Sequence, residues 1–349
     1  MSAPRPTEPA TAPTPIVVGV DADARHRGAL AWGADEARRR DLPLRLVVAR
    51  VESARRGLSA PMRLRGGGRT RALPDSAEQT LREAIAFVRN RHPHLEISTL
   101  LTPDAPVPVL CAQTRTAAAV VLGPLSSGSR EARFTAADVA LPVIARAHCP
   151  VVVVPDPDHS VRRRPFFVVG ADIGWDGRRH SAAAVHHAFE AAARHGAALR
   201  VLYVWRPPLL GVLDERAALR ECRRILAETV AGLQVAHPTV AAHHAVVRGH
   251  TAQVLTRESA HTLGLVVGTP GHGRRTGRLF RSVLDRALRR ARCPVVAVPR
   301  SVPYHRPQRR PGVSRLSRLP RRAVRRCIRP LTRLVLAGGL LTGGSWPAG

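Results

Sequence analysis

The heptapeptide PIVVGVD at residues 15–21 decides the fold, because the chain repeats it as FFVVGAD at residues 166–172. Two further landmarks recur in the same order: AVVLG at 119–123 returns as GLVVG at 264–268, and CPVVVVP at 149–155 returns as CPVVAVP at 293–299. The offsets of 151, 145 and 144 residues exceed the roughly 20–50 residues of a solenoid unit. We therefore predict one α/β module that was duplicated and fused.

Within each repeat, short apolar runs alternate with segments of helical periodicity. Near-continuous apolar strands separated by helices indicate a parallel sheet that is covered on both faces. Right-handed crossovers then give a doubly wound α/β domain, so we predict two such five-stranded domains in tandem. The predicted strands are 16–20, 44–51, 95–101, 119–123 and 151–154 in the first repeat, and 167–171, 199–205, 240–247, 265–268 and 295–298 in the second.

Changes in composition suggest where the modules begin and end. A chain of 349 residues is long enough for two domains that each bury a core. The predicted divisions are a disordered N-terminus (1–15), a first module (16–155), a linker (156–165), a second module (166–300) and a basic, disordered tail (301–349).

The charge of the chain is large and uneven. All 55 basic residues are Arg, and the formal net charge is +30. Arg without Lys is typical of a GC-rich genome, so a high charge by itself is weak evidence for nucleic-acid binding. Residues 286–349 contain 16 Arg and no acidic residue, which concentrates more than half of the net charge in the last helix and the tail. Such a tail attracts polyanions, either RNA or anionic lipid.

Cysteine usage and hydropathy indicate a cytoplasmic protein. The five cysteines form no CxxC motif, and Cys149 and Cys293 occupy equivalent positions before apolar strands, where we expect small buried core residues. The N-terminus has no apolar region of a signal peptide. No apolar stretch reaches the ~18 residues needed to span a bilayer, so we expect no transmembrane segment.

An aspartate follows the first predicted strand of each repeat, Asp21 in the first and Asp172 in the second. Open α/β sheets bind ligands at the carboxyl ends of their strands, where the winding reverses. An ionised Asp at that place can accept hydrogen bonds from a ribose hydroxyl or a base amine. A helix N-cap is an equally good interpretation of either residue alone.

A glycine-rich loop follows the fourth strand of the second repeat. Gly268, Gly271 and Gly273 allow close backbone approach, so successive N–H groups could line a cradle for an anion. We place Ser282 near the start of the next helix, where free N–H groups and the helix dipole favour phosphate.

These residues resemble the universal stress protein family in its tandem two-domain form. The nucleotide-binding branch of that family has Gly-x-x-Gly, nine residues, then Gly-Ser or Gly-Thr, and Gly268, Gly271 and Ser282 match this pattern. The resemblance implies an adenine nucleotide hydrolase-like fold with strand order 3-2-1-4-5 and a site for ATP or another adenine nucleotide in the second module. The implied site residues are Asp172, Val247, Gly268, Gly271, Gly273, Arg281, Ser282 and Val283.

The chain also departs from the family pattern. Arg281 stands where the family has a glycine, so its side chain either blocks the pocket or pairs with phosphate. In the first repeat, Ala136-Ala137 replaces the Gly-Ser pair, and we expect no nucleotide there. The segment Val247-Arg248-Gly249 resembles the one that lies along the adenine in the family.

The sequence indicates a stress-response module rather than an enzyme. It contains neither a G-x-S-x-G nucleophile motif nor a Walker A motif. The pairs His186-His187 and His243-His244 have no carboxylate or Cys at ligand spacing, so we interpret them as solvated surface rather than a metal site. Signalling would then pass through protein contacts. The alternatives are a ligand-free scaffold, and polyanion binding through the Arg-rich tail.

The fifth strand of each repeat predicts how the modules pair. Residues 151–154 and 295–298 carry no charge that would protect a sheet edge. Two equivalent apolar edges in one chain can cover each other. We therefore predict an intramolecular pairing of the two modules through their fifth strands, with a pseudo-twofold relation between them.

Overall fold

The chain forms an α/β structure, here a computed structural model. It describes residues 14–20, 27–49, 72–124, 136–155, 165–172, 181–206, 214–269 and 277–300. The predicted disordered N-terminus (1–15) and linker (156–165) lie outside these ranges except for residues 14, 15 and 165, and the predicted tail (301–349) lies wholly outside them.

Strands and helices alternate along both halves of the chain, as the apolar runs predict. The first half contains β1 (Ile16–Gly19), α1 (Arg27–Arg40), β2 (Leu44–Ala49), α2 (Ala72–Arg91), β3 (Ile97–Thr102), α3 (Pro106–Gln113), β4 (Ala119–Leu122), α4 (Ala136–Arg146) and β5 (Val151–Val153). The second half contains β6 (Phe166–Ala171), α5 (Ala182–His195), β7 (Ala198–Trp205), α6 (Glu215–Gln234), β8 (Ala242–Arg248), α7 (Thr251–Glu258), a 3-10 turn (Ser259–His261), β9 (Gly264–Gly268), α8 (Gly277–Arg290) and β10 (Val295–Val298).

Local chemistry explains several helix ends. Helix α3 begins with Pro106, whose fixed φ and missing N–H suit the first turn. Helix α6 begins after Asp214, whose carboxylate accepts the backbone N–H of Ala217 at 2.8 Å. Helix α5 ends at Gly196, which adopts the left-handed conformation with φ of 57°.

The two halves have the same strand order. The ten strands form one sheet in the order β3-β2-β1-β4-β5-β10-β9-β6-β7-β8. Read from each outer edge inward, both halves give 3-2-1-4-5, which confirms the expected topology. All pairs within each half are parallel.

The halves join through their fifth strands, as the unprotected edges predict. Strand β10 pairs with β5 in antiparallel register, with Val296 opposite Val152. All four residues of β10 and all three of β5 are buried. The two five-stranded sheets therefore merge into a single ten-stranded sheet, and the apolar edges cover each other.

Two apolar layers sandwich this sheet, and each layer contains residues from both halves. Helices α1, α2, α5 and α6 pack on one face, where Phe189 is the largest fully buried side chain. Helices α3, α4, α7 and α8 pack on the other face. Because each layer crosses the β5–β10 junction, the two halves share their cores as well as their sheet.

The cysteines before the fifth strands are core residues, as expected. Cys149 and Cys293 are buried, and the Thr262 hydroxyl lies 3.2 Å from the Cys293 sulfur. Burial raises the pKa of the Cys149 thiol to about 12, so this group stays protonated. Across the described part of the chain, no helix combines the length and apolarity that crossing a membrane requires.

Candidate functional site

The carboxyl edge of the second half brings together two of the predicted site residues. Strands β6 and β9 are neighbours in the sheet, with Gly170 opposite Val267. Asp172 directly follows β6, and Gly268 is the last residue of β9. Both residues therefore lie at the point where the winding of the sheet reverses, which is the preferred ligand position in this architecture.

The start of helix α5 closes one side of this edge. The Ser181 hydroxyl accepts the backbone N–H of Asp172 at 2.7 Å, and Ser181 is buried. A Cβ atom added to Gly268 would lie 3.4 Å from the Ala184 Cβ atom and 3.5 Å from the Ser181 Cα atom. The hydrogen bond fixes the backbone that carries the Asp172 carboxylate. Nothing in the spacing of the sequence singles out Ser181 for this role.

Tyr203 is a second residue of this edge that the sequence analysis missed. Tyr203 lies on β7 opposite Ala171, and Ala171 immediately precedes Asp172 in the chain. Burial raises the pKa of the Tyr203 phenol, and the nearby Cys222 and Asp172 side chains raise it further. The phenol therefore stays protonated beside the Asp172 carboxylate, and it can donate or accept a hydrogen bond.

Val247 and Arg248 lie farther along the same edge, on β8. Val247 is half-buried and packs against the layer that contains α7 and α8. The Arg248 guanidinium lies 5.9 Å from the Trp205 ring centre, and its Nη1 atom is 3.0 Å from a carboxylate oxygen of Glu215. Strand β7 separates β8 from β6, so Val247 is not a sheet neighbour of Asp172.

Helix α8 begins earlier than the sequence indicates. Its first residue is Gly277, so Arg281 and Ser282 stand in the second turn. Only the first four N–H groups of a helix lack an intrahelical acceptor. The backbone N–H of Ser282 therefore lies beyond the free N–H groups of the helix start, so a phosphate contact at Ser282 would need its hydroxyl, and the role of Ser282 in the site stays a prediction.

The remaining predicted site residues fall in two groups. Val283 is half-buried on α8 and packs against the apolar layer of that face, as a core residue does. Gly271 and Gly273 lie in the segment 270–276, outside the described residues. The anion cradle that these glycines suggest stays a prediction.

Comparisons with known proteins identify the family to which the chain belongs. The sequence profile described as "Universal stress protein family" matches residues 13–155 and 168–299. The chain belongs to the universal stress protein family. A universal stress protein of Mycobacterium tuberculosis (H37Rv) is 32% identical over 302 residues, which cover 82% of this chain and 97% of that protein. A relative from Mycolicibacterium smegmatis is 30% identical over 297 residues, covering 81% and 96%.

Solved structures show the same fold. A universal stress protein from Archaeoglobus fulgidus superposes with a TM-score of 0.55 at 14% identity, covering 81% of this chain and 96% of its own. A shorter universal stress protein from the same genus, solved in complex with dAMP, is 28% identical and covers 41% of this chain and 98% of its own, with a TM-score of 0.29.

The described residues at the equivalent edge of the first half of this universal stress protein differ from those of the second. Gly123 directly follows β4, and an added Cβ there would have no atom within 4 Å. Helix α4 begins at Ala136, so the Ala136-Ala137 pair supplies no hydroxyl at its start. Asp21 lies outside the described residues.

The histidines of α5 correct one expectation. His186 and His187 are half-buried rather than solvated, because α5 packs beneath α6 and against the first half of the chain. Burial, together with the charges of Arg40 and Arg194, lowers the pKa of His187 to about 3. No group of three potential metal ligands occurs among the residues that the structure describes.

Proposed function

We propose that the second module, residues 166–300, binds an adenine nucleotide at the carboxyl edge of its strands. The observation that carries this proposal is that Asp172 and Gly268 lie at the carboxyl ends of the adjacent strands β6 and β9, where the winding of the sheet reverses. The Asp172 carboxylate would accept hydrogen bonds from the ribose or the base.

The proposed mechanism is ligand sensing. Phosphates would lie toward the loop after β9 and the start of α8, near Arg281 and the Ser282 hydroxyl. Occupancy would favour one arrangement of that loop, and the change in its exposed surface would alter contacts with a protein partner in a stress response. Turnover plays no part in this mechanism. The relatives are named as stress proteins rather than as enzymes.

Substitutions at the two ends of the proposed site test it. Removing a hydrogen bond to a charged group typically costs about 1.5–3 kcal/mol, so Asp172→Ala and Ser282→Ala should each weaken ATP or AMP binding about 10- to 100-fold. Isothermal titration calorimetry measures these affinities. Mass spectrometry of nucleotide released from the acid-denatured wild-type protein identifies the ligand.

The matched control is Asp104→Ala, which removes an exposed aspartate at the end of β3 in the first half. It should leave nucleotide affinity unchanged. Arg281→Gly restores the family pattern, and tighter binding would identify Arg281 as an obstruction, whereas weaker binding would identify it as a phosphate ligand. Unchanged affinity in both Asp172→Ala and Ser282→Ala would remove the site from consideration.

A second candidate function rests on the composition of the tail. Residues 301–349 contain 11 Arg and no acidic residue. The last described strand, β10, is complete and buried at Val298. We therefore expect truncation after Arg300 to leave thermal stability within about 1 kcal/mol while abolishing salt-sensitive binding to RNA or to anionic liposomes.

Melting curves and binding at low and physiological salt check this expectation. A large loss of stability would show that the tail is part of the fold. Equal binding by the full-length and truncated proteins would show that the tail is not the binding element. A tail that binds neither RNA nor anionic liposomes leaves ligand-free scaffolding and nucleotide sensing as the remaining functions.

A further inference from the structure

A buried carboxylate lies on the surface where the two halves meet. Glu36, on α1, is only 2% exposed. Within its own helix, the Glu36 carboxylate accepts hydrogen bonds from the Arg40 Nε atom at 2.6 Å and from the Arg39 Nη1 atom at 3.3 Å. Burial by itself would raise the pKa of Glu36, but the hydrogen bond with His195 and the charge of Arg40 hold it far below its usual range. The Glu36 carboxylate is therefore ionised at neutral pH.

The other partners of Glu36 come from the second half of the chain. The His195 Nε2 atom lies 3.1 Å from one carboxylate oxygen, and the Arg194 Nε atom lies 3.8 Å from the other. Both residues belong to the last turn of α5. A single carboxylate thus holds basic side chains from the ends of two different helices.

The duplication makes α1 and α5 equivalent helices. Each has 14 residues, and each ends in a residue with left-handed backbone, Asp41 after α1 and Gly196 after α5. When the two helices are aligned by their ends, their basic last turns coincide, and Arg39 corresponds to Arg194. The same alignment places Ala191 at the position of Glu36.

Ala191 leaves the second half without a carboxylate at this position. Ala191 is buried at 6% exposure. The Nε and Nη2 atoms of Arg194 are buried and have no hydrogen-bond partner among the described residues. The contact surface of the second half is therefore basic, and its guanidinium is incompletely satisfied even in the presence of Glu36.

The neighbouring acid of α5 does not fill the role of Glu36. Glu190 is 41% exposed, pairs with His186 of its own helix at 3.1 Å, and has a carboxylate oxygen 3.7 Å from the Arg194 Nη1 atom. Its equivalent in the first half is Asp35, which binds Arg91 through two contacts of 2.7 Å. Both acids thus pair within their own half of the chain, whereas Glu36, within the described part of the chain, contacts basic side chains of both halves.

We propose that Glu36 determines which domains pair. It supplies, from the first repeat alone, the buried negative charge that the basic ends of α1 and α5 share, whereas Glu190 near Arg194 is partly exposed. The surface of the second domain therefore fits the first domain and not a second copy of itself, because two second domains would bring four basic side chains together without a buried carboxylate. Removing one partner from such a network leaves uncompensated buried charge.

Hydrogen exchange in the full chain tests this role. Glu36→Gln keeps the shape and removes the charge. Loss of a charged hydrogen bond of this kind corresponds to an equilibrium change of about 10- to 100-fold, so the amides of β5 and β10 should exchange at least tenfold faster. The matched control is Asp35→Asn on the same helix, which breaks a pair within the first half and should leave the β5–β10 amides within about twofold of wild type.

Moving the carboxylate to the equivalent position on α5 distinguishes a role in domain pairing from a general loss of stability. The double variant Glu36→Gln with Ala191→Glu moves the carboxylate to the equivalent position, three and four residues before Arg194 and His195. It should return exchange of the β5–β10 amides to within about threefold of wild type. If Glu36→Gln melts before exchange can be followed, recovery of the melting temperature in the double variant supports the proposal. Wild-type exchange in Glu36→Gln, equal acceleration in Asp35→Asn, or no recovery in the double variant would overturn it.

Discussion

Val296→Asp is expected to unfold the protein, because it places a carboxylate at the centre of the ten-stranded sheet. Val296 lies opposite Val152 across the junction and opposite Val266 within its own half. All three side chains belong to the same buried layer. An uncompensated buried charge costs about 3–5 kcal/mol, which is a large part of the roughly 5–15 kcal/mol that stabilises a typical protein.

The measurement is thermal and denaturant unfolding, together with light scattering to detect association through uncovered edges. Val235→Asp is the matched control, because Val235 follows α6 and is 84% exposed. The control should change stability by less than about 0.5 kcal/mol. A Val296→Asp protein that stays monomeric with wild-type stability would show that the β5–β10 contact does not support the fold.

Gly33→Val is expected to cost about 3 kcal/mol, because helix α1 approaches strand β1 too closely for a side chain. A Cβ atom at Gly33 would lie 2.4 Å from the Val18 Cγ2 atom. Val18 is completely buried in the middle of β1, so it has no room to move away. Insertion of a side chain would push the helix off the sheet or displace the strand.

Gly232→Val provides the control for this substitution. Gly232 lies on α6, is exposed, and has no atom within 4 Å of an added Cβ. Valine is slightly better than glycine inside a helix, so the control should be neutral or stabilising by a few tenths of a kcal/mol, about 0.3. Urea unfolding of both variants gives the comparison, and an equal effect at the two positions would refute the packing explanation.

The repeated apolar strands carry most of the information about the fold. Apolar runs predict the parallel sheet, and the inner strands are buried whereas the outer strands β3 and β8 are only partly covered. The uncharged fifth strands predict the junction that the structure contains. These inferences succeed because burial on both faces imposes an apolar run on every residue of a strand. Helix α8 begins at Gly277 rather than at the predicted Leu279, because the glycines before Ser282 weaken the helical periodicity there.

The candidate site and the junction depend on contacts between distant segments, which spacing does not reveal. Asp172 was found because a strand end is visible in the sequence. Ser181 was missed, because its contact with Asp172 depends on the course of the chain between β6 and α5. Glu36 looks like an ordinary surface charge of an amphipathic helix, and only the approach of α5 buries it.

The antiparallel β5–β10 pair points the carboxyl edges of the two halves in opposite directions. Strands of the first half run one way and strands of the second half run the other. The described residues of each edge consequently come from one repeat. Substitutions such as Ala136-Ala137 can accumulate at the first edge without disturbing the second, provided that the valines of the junction remain. The duplicated fold thus lets the two edges differ in sequence while both halves share one sheet.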